Sequence, residues 1–263
     1  MTWLEALILG VLQGLTEFLP VSSSGHLVMG KEFFGVQTQG ATFEIVVHAA
    51  TVLSTLTVFR KEIGRLIVGC FRLRYNDESR YLLMLLLSML PVLVVGLFFK
   101  SQVEALFGSG LALVGAMLLV TALLLFITRM APAGTLPLKY RDALFIGLAQ
   151  AVAVLPGLSR SGATISTGLL LGKDRATVAK FSFLMVLVPI LGEAFLDLLH
   201  GNFAPHASGI STTSLLTGFV AAYLTGLAAC SGMIALVKRT KLWGFAIYCA
   251  MAGTFCLISH FFL

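Results

Sequence analysis

The chain has 263 residues, of which 58% are hydrophobic and 11% are charged, and its formal net charge is +6. Soluble domains carry about 25% charged residues, so this composition excludes one. It predicts an all-α polytopic membrane protein, because helices satisfy their own backbone hydrogen bonds in lipid. Basic loops on the cytoplasmic side explain the positive charge, and without a nucleic-acid motif no nucleic-acid partner is expected.

Long apolar runs alternate with two segments that Pro, Gly and Ser interrupt. The apolar runs have about the ~20 residues needed to cross a bilayer. The sequence therefore predicts about six spanning helices and two interrupted helix pairs. In chain order the predicted elements are an interrupted pair at 3–30, spans at 43–59, 81–99 and 111–128, a second interrupted pair at 143–172, and spans at 181–199, 214–237 and 242–263.

The two interrupted segments resemble each other. ALILGVLQGLTEFLPVSSSG at 6–25 aligns without gaps with ALFIGLAQAVAVLPGLSRSG at 143–162, and similar spans follow each segment. The sequence thus predicts one membrane domain made of two repeats, the first at about 1–130 and the second at about 138–263.

Lys and Arg are concentrated in alternate connections, which fixes the predicted orientation. By the positive-inside rule the span at 43–59 runs inward and the span at 181–199 runs outward, so the repeats are inverted. Each interrupted segment is then a re-entrant helix pair, entering from opposite sides. In inverted repeats such breaks meet near the midplane and form the functional site.

Arg160 lies at the predicted tip of the second pair. An Arg at this depth costs at least ~2.5 kcal/mol, so it needs a partner. It is either a structural partner of Glu17 or a clamp that holds a phosphate through two hydrogen bonds. A helix beginning near Ser161 would also direct backbone N–H groups at an anion. The substrate-binding candidates beside Arg160 are Ser159, Ser161, Gly162 and Thr164.

The first tip carries a carboxylate and an amide one helical turn apart, Glu17 and Gln13. Carboxylate and amide oxygens suit a hard divalent cation such as Mg²⁺ or Ca²⁺, although Gln13 can equally be a packing polar group. His48 lies inside an apolar segment and is expected to line the cavity.

The serines of this tip either cap a helix starting near Gly25 or supply a nucleophile. Ser23 is favoured because His26 lies one turn later and could act as its general base. Ser22 is the second candidate. Direct attack by His26, or by water that His26 activates, stays open.

QGLTEFLPVSSSGH at 13–26 and PGLSRSGATIS at 156–166 resemble the two signatures of the undecaprenyl-diphosphate phosphatase family of the bacitracin-resistance type. The resemblance covers essentially the whole chain. It implies an enzyme that removes the terminal phosphate of a C55 polyprenyl diphosphate with a divalent cation. It assigns functional roles to Glu17, the serines around Ser23, His26 and Arg160. Some relatives have Glu where this chain has Gln13.

The resemblance also implies a bacterial inner-membrane location with the site facing the periplasm. The product would be recycled as the carrier lipid for peptidoglycan and related polymers. The partners expected are the lipid substrate and membrane lipids, and a homodimer stays open. A rival function is a polyprenyl-phosphate flippase, which would use the same Arg160 clamp without a nucleophile.

Overall fold

The structure is a computed structural model that describes residues 1–36, 41–71, 76–108, 110–132, 134–199, 209–239 and 242–262. Within these ranges the chain forms thirteen α-helices, and its β-structure is one isolated bridge. The predicted all-α class is therefore confirmed. The helices are α1 (Trp3–Phe18), α2 (Ser23–Phe34), α3 (Thr42–Val58), α4 (Arg60–Phe71), α5 (Asp77–Phe98), α6 (Lys100–Phe107), α7 (Gly110–Ile127), α8 (Tyr140–Val152), α9 (Arg160–Leu170), α10 (Arg175–Leu184), α11 (Leu187–Leu199), α12 (Thr212–Arg239) and α13 (Trp243–Phe262).

Five segments of the described chain are long and apolar enough to cross a membrane, and the bent pair α3–α4 would make a sixth. The chain is thus a multi-pass membrane protein. Five of the predicted spans coincide, to within a few residues, with α3, α5, α7, α12 and α13.

Two predicted elements differ from the structure. The span predicted at 181–199 begins earlier, at Arg175, and is broken at residues 185–186 into α10 and α11. Asp174 explains the early start, because its carboxylate accepts from Thr177 N at 2.8 Å and caps α10. The basic connection after residue 59 is the helix α4, bent by 76° from α3.

Each interrupted segment forms two helices that meet at a tip. α2 returns along α1 so closely that a Cβ on Gly30 would lie 2.7 Å from Leu9 Cδ2. The two tips touch each other, since Ser161 Oγ donates to the Leu19 carbonyl at 3.0 Å. The predicted meeting of the two breaks is present in the structure.

Glycines allow the helices of one half to pack on those of the other. A Cβ on Gly115 of α7 would lie 2.8 Å from the Gly253 carbonyl of α13, and one on Gly253 would lie 2.7 Å from the Gly115 carbonyl. Gly14 likewise faces α12, and Gly147 of α8 faces α5. Small residues permit such close approach where lipid provides no hydrophobic drive for helix association.

A buried ion pair ties the connection between the halves to the end of α9. Lys173 Nζ lies 2.8 Å from Asp142 Oδ2 and donates to the Pro137 carbonyl at 3.2 Å. The side chains are only 5% and 2% exposed. Lys173, although it is a basic residue between two helices, is therefore part of the buried core.

We expect Lys173→Met to lower the free energy of unfolding by about 3–5 kcal/mol, because the buried Asp142 carboxylate then loses its close counter-ion and keeps only the Lys139 N–H at 2.9 Å and Arg141 Nε at 4.0 Å. Chemical unfolding in detergent measures this loss. The double variant Lys173→Met/Asp142→Leu removes both charges and should regain most of the stability. A double variant as unstable as the single one would contradict the ion-pair explanation.

Candidate functional site

The tip between α1 and α2 is tightly built. Ser22 has φ 70° and caps α2 by accepting from Gly25 N at 3.2 Å. A positive φ in a residue other than glycine costs on the order of 1–3 kcal/mol and persists only where the surroundings hold it. Among the described residues Ser22 is the only such case. The serine cluster is therefore held in one strained geometry.

The tip between α8 and α9 repeats this arrangement. Ser159 caps α9 by accepting from Gly162 N at 3.0 Å, as Ser22 does for α2. At Gly157, φ is 93° and a Cβ would lie 2.5 Å from the Val114 carbonyl, so only glycine fits there. Because the caps correspond, Ser23 and Arg160 occupy the same position, the first residue of their helix.

Both of these first residues contact Glu17, whose side chain is only 6% exposed. Arg160 Nη2 forms an ion pair with Glu17 Oε1. Ser23 Oγ donates to Oε2 at 2.5 Å, and Gln13 Nε2 donates to the same oxygen at 3.0 Å. His48 Nε2 lies 3.6 Å from Oε2. Glu17 is thus the centre of a polar cluster that joins both tips to α3.

The Arg160–Glu17 pair, which the sequence allowed as a structural contact, is formed, and it borders a narrow cleft that has no room for a water molecule. The Arg160 side chain remains 16% exposed. An anion would have to widen this cleft to reach the guanidinium. The cleft is lined by Glu17, Phe18, Thr51, Val52, Thr55, Arg160, Phe183, Val186 and Ile190.

The hydroxyl donors predicted beside Arg160 have other partners in the structure. Ser159 Oγ caps α9, Ser161 Oγ donates to Leu19, and Thr164 Oγ1 lies 2.6 Å from Ser182 Oγ. The N–H of Gly162 is taken by the cap. These four residues brace the second tip, because the start of a buried helix must satisfy its own donors first.

The predicted pairing of Ser23 with His26 is wrong in geometry. Ser23 donates to Glu17 instead. His26 Nδ1 lies 2.8 Å from the Ser22 carbonyl, so this nitrogen carries the hydrogen. His26 Nε2 lies 2.6 Å from the Tyr248 hydroxyl, and the two rings stack at 5.6 Å. A spacing of three residues did not bring the side chains together, because the His26 ring turns toward α13.

Two other site residues come from elements whose role the sequence did not reveal. Tyr248 holds His26, and Ser182 holds both Thr164 and, through its carbonyl at 3.5 Å, Arg160 Nη1. Both lie in apolar helices far along the chain. His48, expected to line the cavity, is not among the residues that line the cleft, but its Nε2 lies 3.6 Å from Glu17 Oε2.

The polar cluster fits a divalent cation through oxygen. Gln13 Oε1 is buried and has no hydrogen-bond partner among the described residues, and the Glu17 carboxylate lies beside this amide. Mg²⁺ and Ca²⁺ prefer such ligands. Among the residues that the structure describes, no three His, Cys, Asp or Glu side chains lie close enough together to hold a metal ion. A cation here would need further ligands, which a bound phosphate can supply.

The fold and this cluster define a multi-pass membrane protein with a buried site that joins a carboxylate, a guanidinium and a serine hydroxyl. The family described as bacitracin resistance protein BacA matches residues 6–255, and the chain belongs to this family. An undecaprenyl-diphosphatase of Bacteroides thetaiotaomicron is 54% identical over 263 residues, covering 99% of this chain and 100% of the relative.

Two further relatives bear the same name. The undecaprenyl-diphosphatase of Bacteroides fragilis is 54% identical, and the alignment covers 98% of each chain. That of Desulforapulum autotrophicum is 40% identical over 274 residues, again with 98% of each chain covered. The similarity therefore extends over the whole architecture and includes both tips.

Proposed function

We propose that this chain is an undecaprenyl-diphosphatase, which hydrolyses undecaprenyl diphosphate to undecaprenyl phosphate and inorganic phosphate. The names of its full-length relatives support this assignment. The observation that carries it is the convergence of Ser23 and Arg160 on Glu17. The Ser23 hydroxyl as nucleophile, the Glu17 carboxylate as base and the Arg160 guanidinium as anion-binding group would thereby lie together beside the cleft.

Substrate binding would begin at Arg160. Its guanidinium is planar and can hold two phosphate oxygens at once. In the free protein it is held by Glu17 and by the Ser182 carbonyl, so it is already oriented at the cleft. The diphosphate would displace part of these contacts. Phosphoryl transfer depends mainly on such positioning and on neutralising charge.

The chemical step follows from the Ser23–Glu17 hydrogen bond. Ser23 Oγ would attack the terminal phosphorus in line with the anhydride bond, and its proton would pass to Glu17 Oε2. The Oγ–P bond forms while the bond from phosphorus to the bridging oxygen breaks, which releases undecaprenyl phosphate. Water then cleaves the phosphoserine and releases phosphate. The contact of 2.5 Å favours Ser23 over His26, whose ring is engaged elsewhere.

Gln13 and Glu17 would hold the divalent cation, Mg²⁺ or Ca²⁺. When bound, this ion supplies positive charge to the diphosphate oxygens. Gln13 also fixes the carboxylate by donating to its Oε2. Because Glu17 is the one carboxylate among these ligands, the diphosphate would have to supply further oxygen ligands. The cation would therefore bind together with the substrate.

The cellular setting follows from the same proposal. The protein would lie in the bacterial inner membrane with the site open to the periplasm. Its product would return as the carrier lipid for peptidoglycan and other envelope polymers. Removal of the diphosphate form would account for the bacitracin resistance that the family description names.

The direct test is phosphate release from undecaprenyl diphosphate by the purified protein in detergent. We expect cation-dependent release that EDTA abolishes. A protein that only transports lipid needs a sealed membrane and would release none. Absence of release, with folding verified by thermal unfolding, would refute the phosphatase.

The orientation can be tested with cysteines in a Cys70→Ser background, since Cys70 is exposed. We expect Thr213→Cys, at the start of α12, to react with an impermeant thiol reagent applied from the periplasm. Asp77→Cys, at the start of α5, should react only after the membrane is opened. Both side chains are exposed in the structure. The opposite labelling pattern would overturn the outward-facing site.

A further inference from the structure

The helix α4 leaves the bundle at a steep angle. Its axis is bent by 76° from that of α3, which packs against the spanning helix α12 through a 2.8 Å hydrogen bond from Ser54 Oγ to the Tyr223 carbonyl. A helix that turns so far from a membrane-embedded neighbour lies close to the plane of the membrane surface. It is held against α5, because a Cβ on Gly69 would lie 2.4 Å from Glu78 Cβ.

One face of α4 is an apolar stripe. Ile63, Ile67 and Phe71 follow one another at intervals of four residues, which places them on the same side of the helix. Ile63 is partly buried against the core, whereas Ile67 is 52% exposed and Phe71 is 81% exposed. In a water-filled connection these side chains would be exposed to solvent, whereas contact with acyl chains at the membrane surface would bury them.

A row of basic residues borders this stripe. Lys61 and Arg65 are one turn apart and lie roughly 120° around the helix from Ile67. Both are exposed, and the Arg65 side chain is 68% exposed. Arg60, the first residue of the helix, is exposed as well. An apolar stripe beside a Lys/Arg row is typical of helices that lie in the interface between headgroups and acyl chains.

The positive charge of α4 exceeds what its acidic residue neutralises. Glu62 is the one acidic residue of this helix. Two cations share its carboxylate: Lys180 Nζ of α10 lies 2.5 Å from Oε1, and Arg65 Nη2 lies 2.8 Å from Oε2. In the sequence Arg72 and Arg74 follow the helix. This connection therefore carries a surplus of positive charge, which an anionic membrane surface attracts.

We propose that α4 is an interfacial helix that binds anionic phospholipids in the leaflet on which it lies. Ile67 and Phe71 enter the acyl-chain boundary, and Lys61 and Arg65 bind the lipid phosphates. With the site open to the periplasm, this leaflet is the cytoplasmic one, whose surface potential is negative. The lipid site is separate from the Arg160 cluster. The proposal therefore goes beyond the phosphatase and does not depend on it.

A single exposed cysteine on α4 provides the probe. Cys70 is exposed, whereas Cys230, Cys249 and Cys256 are buried, so a thiol-reactive bimane should label Cys70 selectively. The Cys70→Ser variant, which should take no label, verifies this. The labelled protein is reconstituted into phosphatidylcholine vesicles with increasing fractions of spin-labelled phosphatidylglycerol or spin-labelled phosphatidylcholine. The nitroxide lies high on the acyl chain and quenches bimane on contact.

We expect both spin-labelled lipids to quench the bimane, because the helix lies on the membrane. Phosphatidylglycerol should quench with an apparent affinity about threefold or more above that of phosphatidylcholine, because its phosphate meets the basic row. High salt should reduce this difference. Absence of quenching by either lipid would show that α4 lies away from the membrane or is covered by protein. Equal quenching by the two lipids would exclude an anionic-lipid site, and either result would overturn the proposal.

Two triple variants of equal charge change show whether the preference belongs to α4. Neutralising its three basic residues should abolish the preference for phosphatidylglycerol and leave quenching by phosphatidylcholine, since the apolar stripe is intact and Lys180 still pairs with Glu62. Neutralising three exposed basic residues at the connection between the repeats should leave the preference. Equal loss in both would show a general charge effect and overturn the proposal. The variants are Arg60→Gln/Lys61→Gln/Arg65→Gln and Arg129→Gln/Lys139→Gln/Arg141→Gln.

Discussion

Ser23→Ala is expected to lower phosphate release by roughly three orders of magnitude or more while the protein stays folded. Loss of a nucleophile removes the covalent route and leaves only the contribution of binding and charge stabilisation. The short contact between Ser23 and Glu17 identifies Ser23 as the hydroxyl with a base beside it. Steady-state phosphate release in detergent measures the effect, and thermal unfolding verifies the fold.

The neighbouring serines provide matched controls. Ser22 caps α2, so Ser22→Ala should cost about 1 kcal/mol of stability and affect activity far less. Ser24 Oγ lies 3.3 Å from Ser22 Oγ, and Ser24→Ala should be milder still. If all three variants retain substantial activity, serine catalysis is excluded and His26 or water is the attacking group.

The second large effect is expected for Arg160→Lys, with a loss of about 10²-fold or more in kcat/KM. Lysine keeps the positive charge and its attraction to Glu17, so the fold should survive. It lacks the planar fork that holds two phosphate oxygens. In other phosphoryl transfers, an arginine that stabilises the transition state contributes about 10³–10⁵-fold to the rate. Because lysine keeps the charge, Arg160→Lys should lose less activity than that.

Arg141→Lys is the control for this variant, since its side chain is 80% exposed and lies outside the cleft. Its activity should be unchanged. Near-normal turnover in Arg160→Lys would show that Arg160 serves only as the structural partner of Glu17. Both variants should therefore be compared at saturating and at low substrate, because a phosphate clamp affects binding as well as turnover.

The local patterns that the sequence predicted well are those set by composition and short spacing. The apolar runs located α5, α7, α12 and α13 because a helix in lipid has few alternatives. Gln13 and Glu17 were placed together because residues four apart in a helix share a face. The similarity of the two interrupted segments located both tips.

Residue spacing did not predict side-chain contacts correctly where they depended on side-chain direction or on partners far along the chain. The three-residue step from Ser23 to His26 predicted a contact, but Tyr248, more than two hundred residues later, draws the imidazole away. Ser159, Ser161 and Thr164 were expected to serve an anion, and in the structure their hydroxyls bond to the helix start and to its neighbours. The break within α10–α11 was hidden inside a continuous apolar run.

The sequence by itself determined that the chain crosses the membrane several times, belongs by its motifs with lipid diphosphate phosphatases, and carries Glu17, Ser23 and Arg160 as its principal polar residues. Only the tertiary structure decided that Ser23 and Arg160 meet on opposite oxygens of Glu17. Composition and periodicity act over one or two helical turns. The site is made by contacts between helices that lie far apart in the chain, and these depend on how the whole bundle packs.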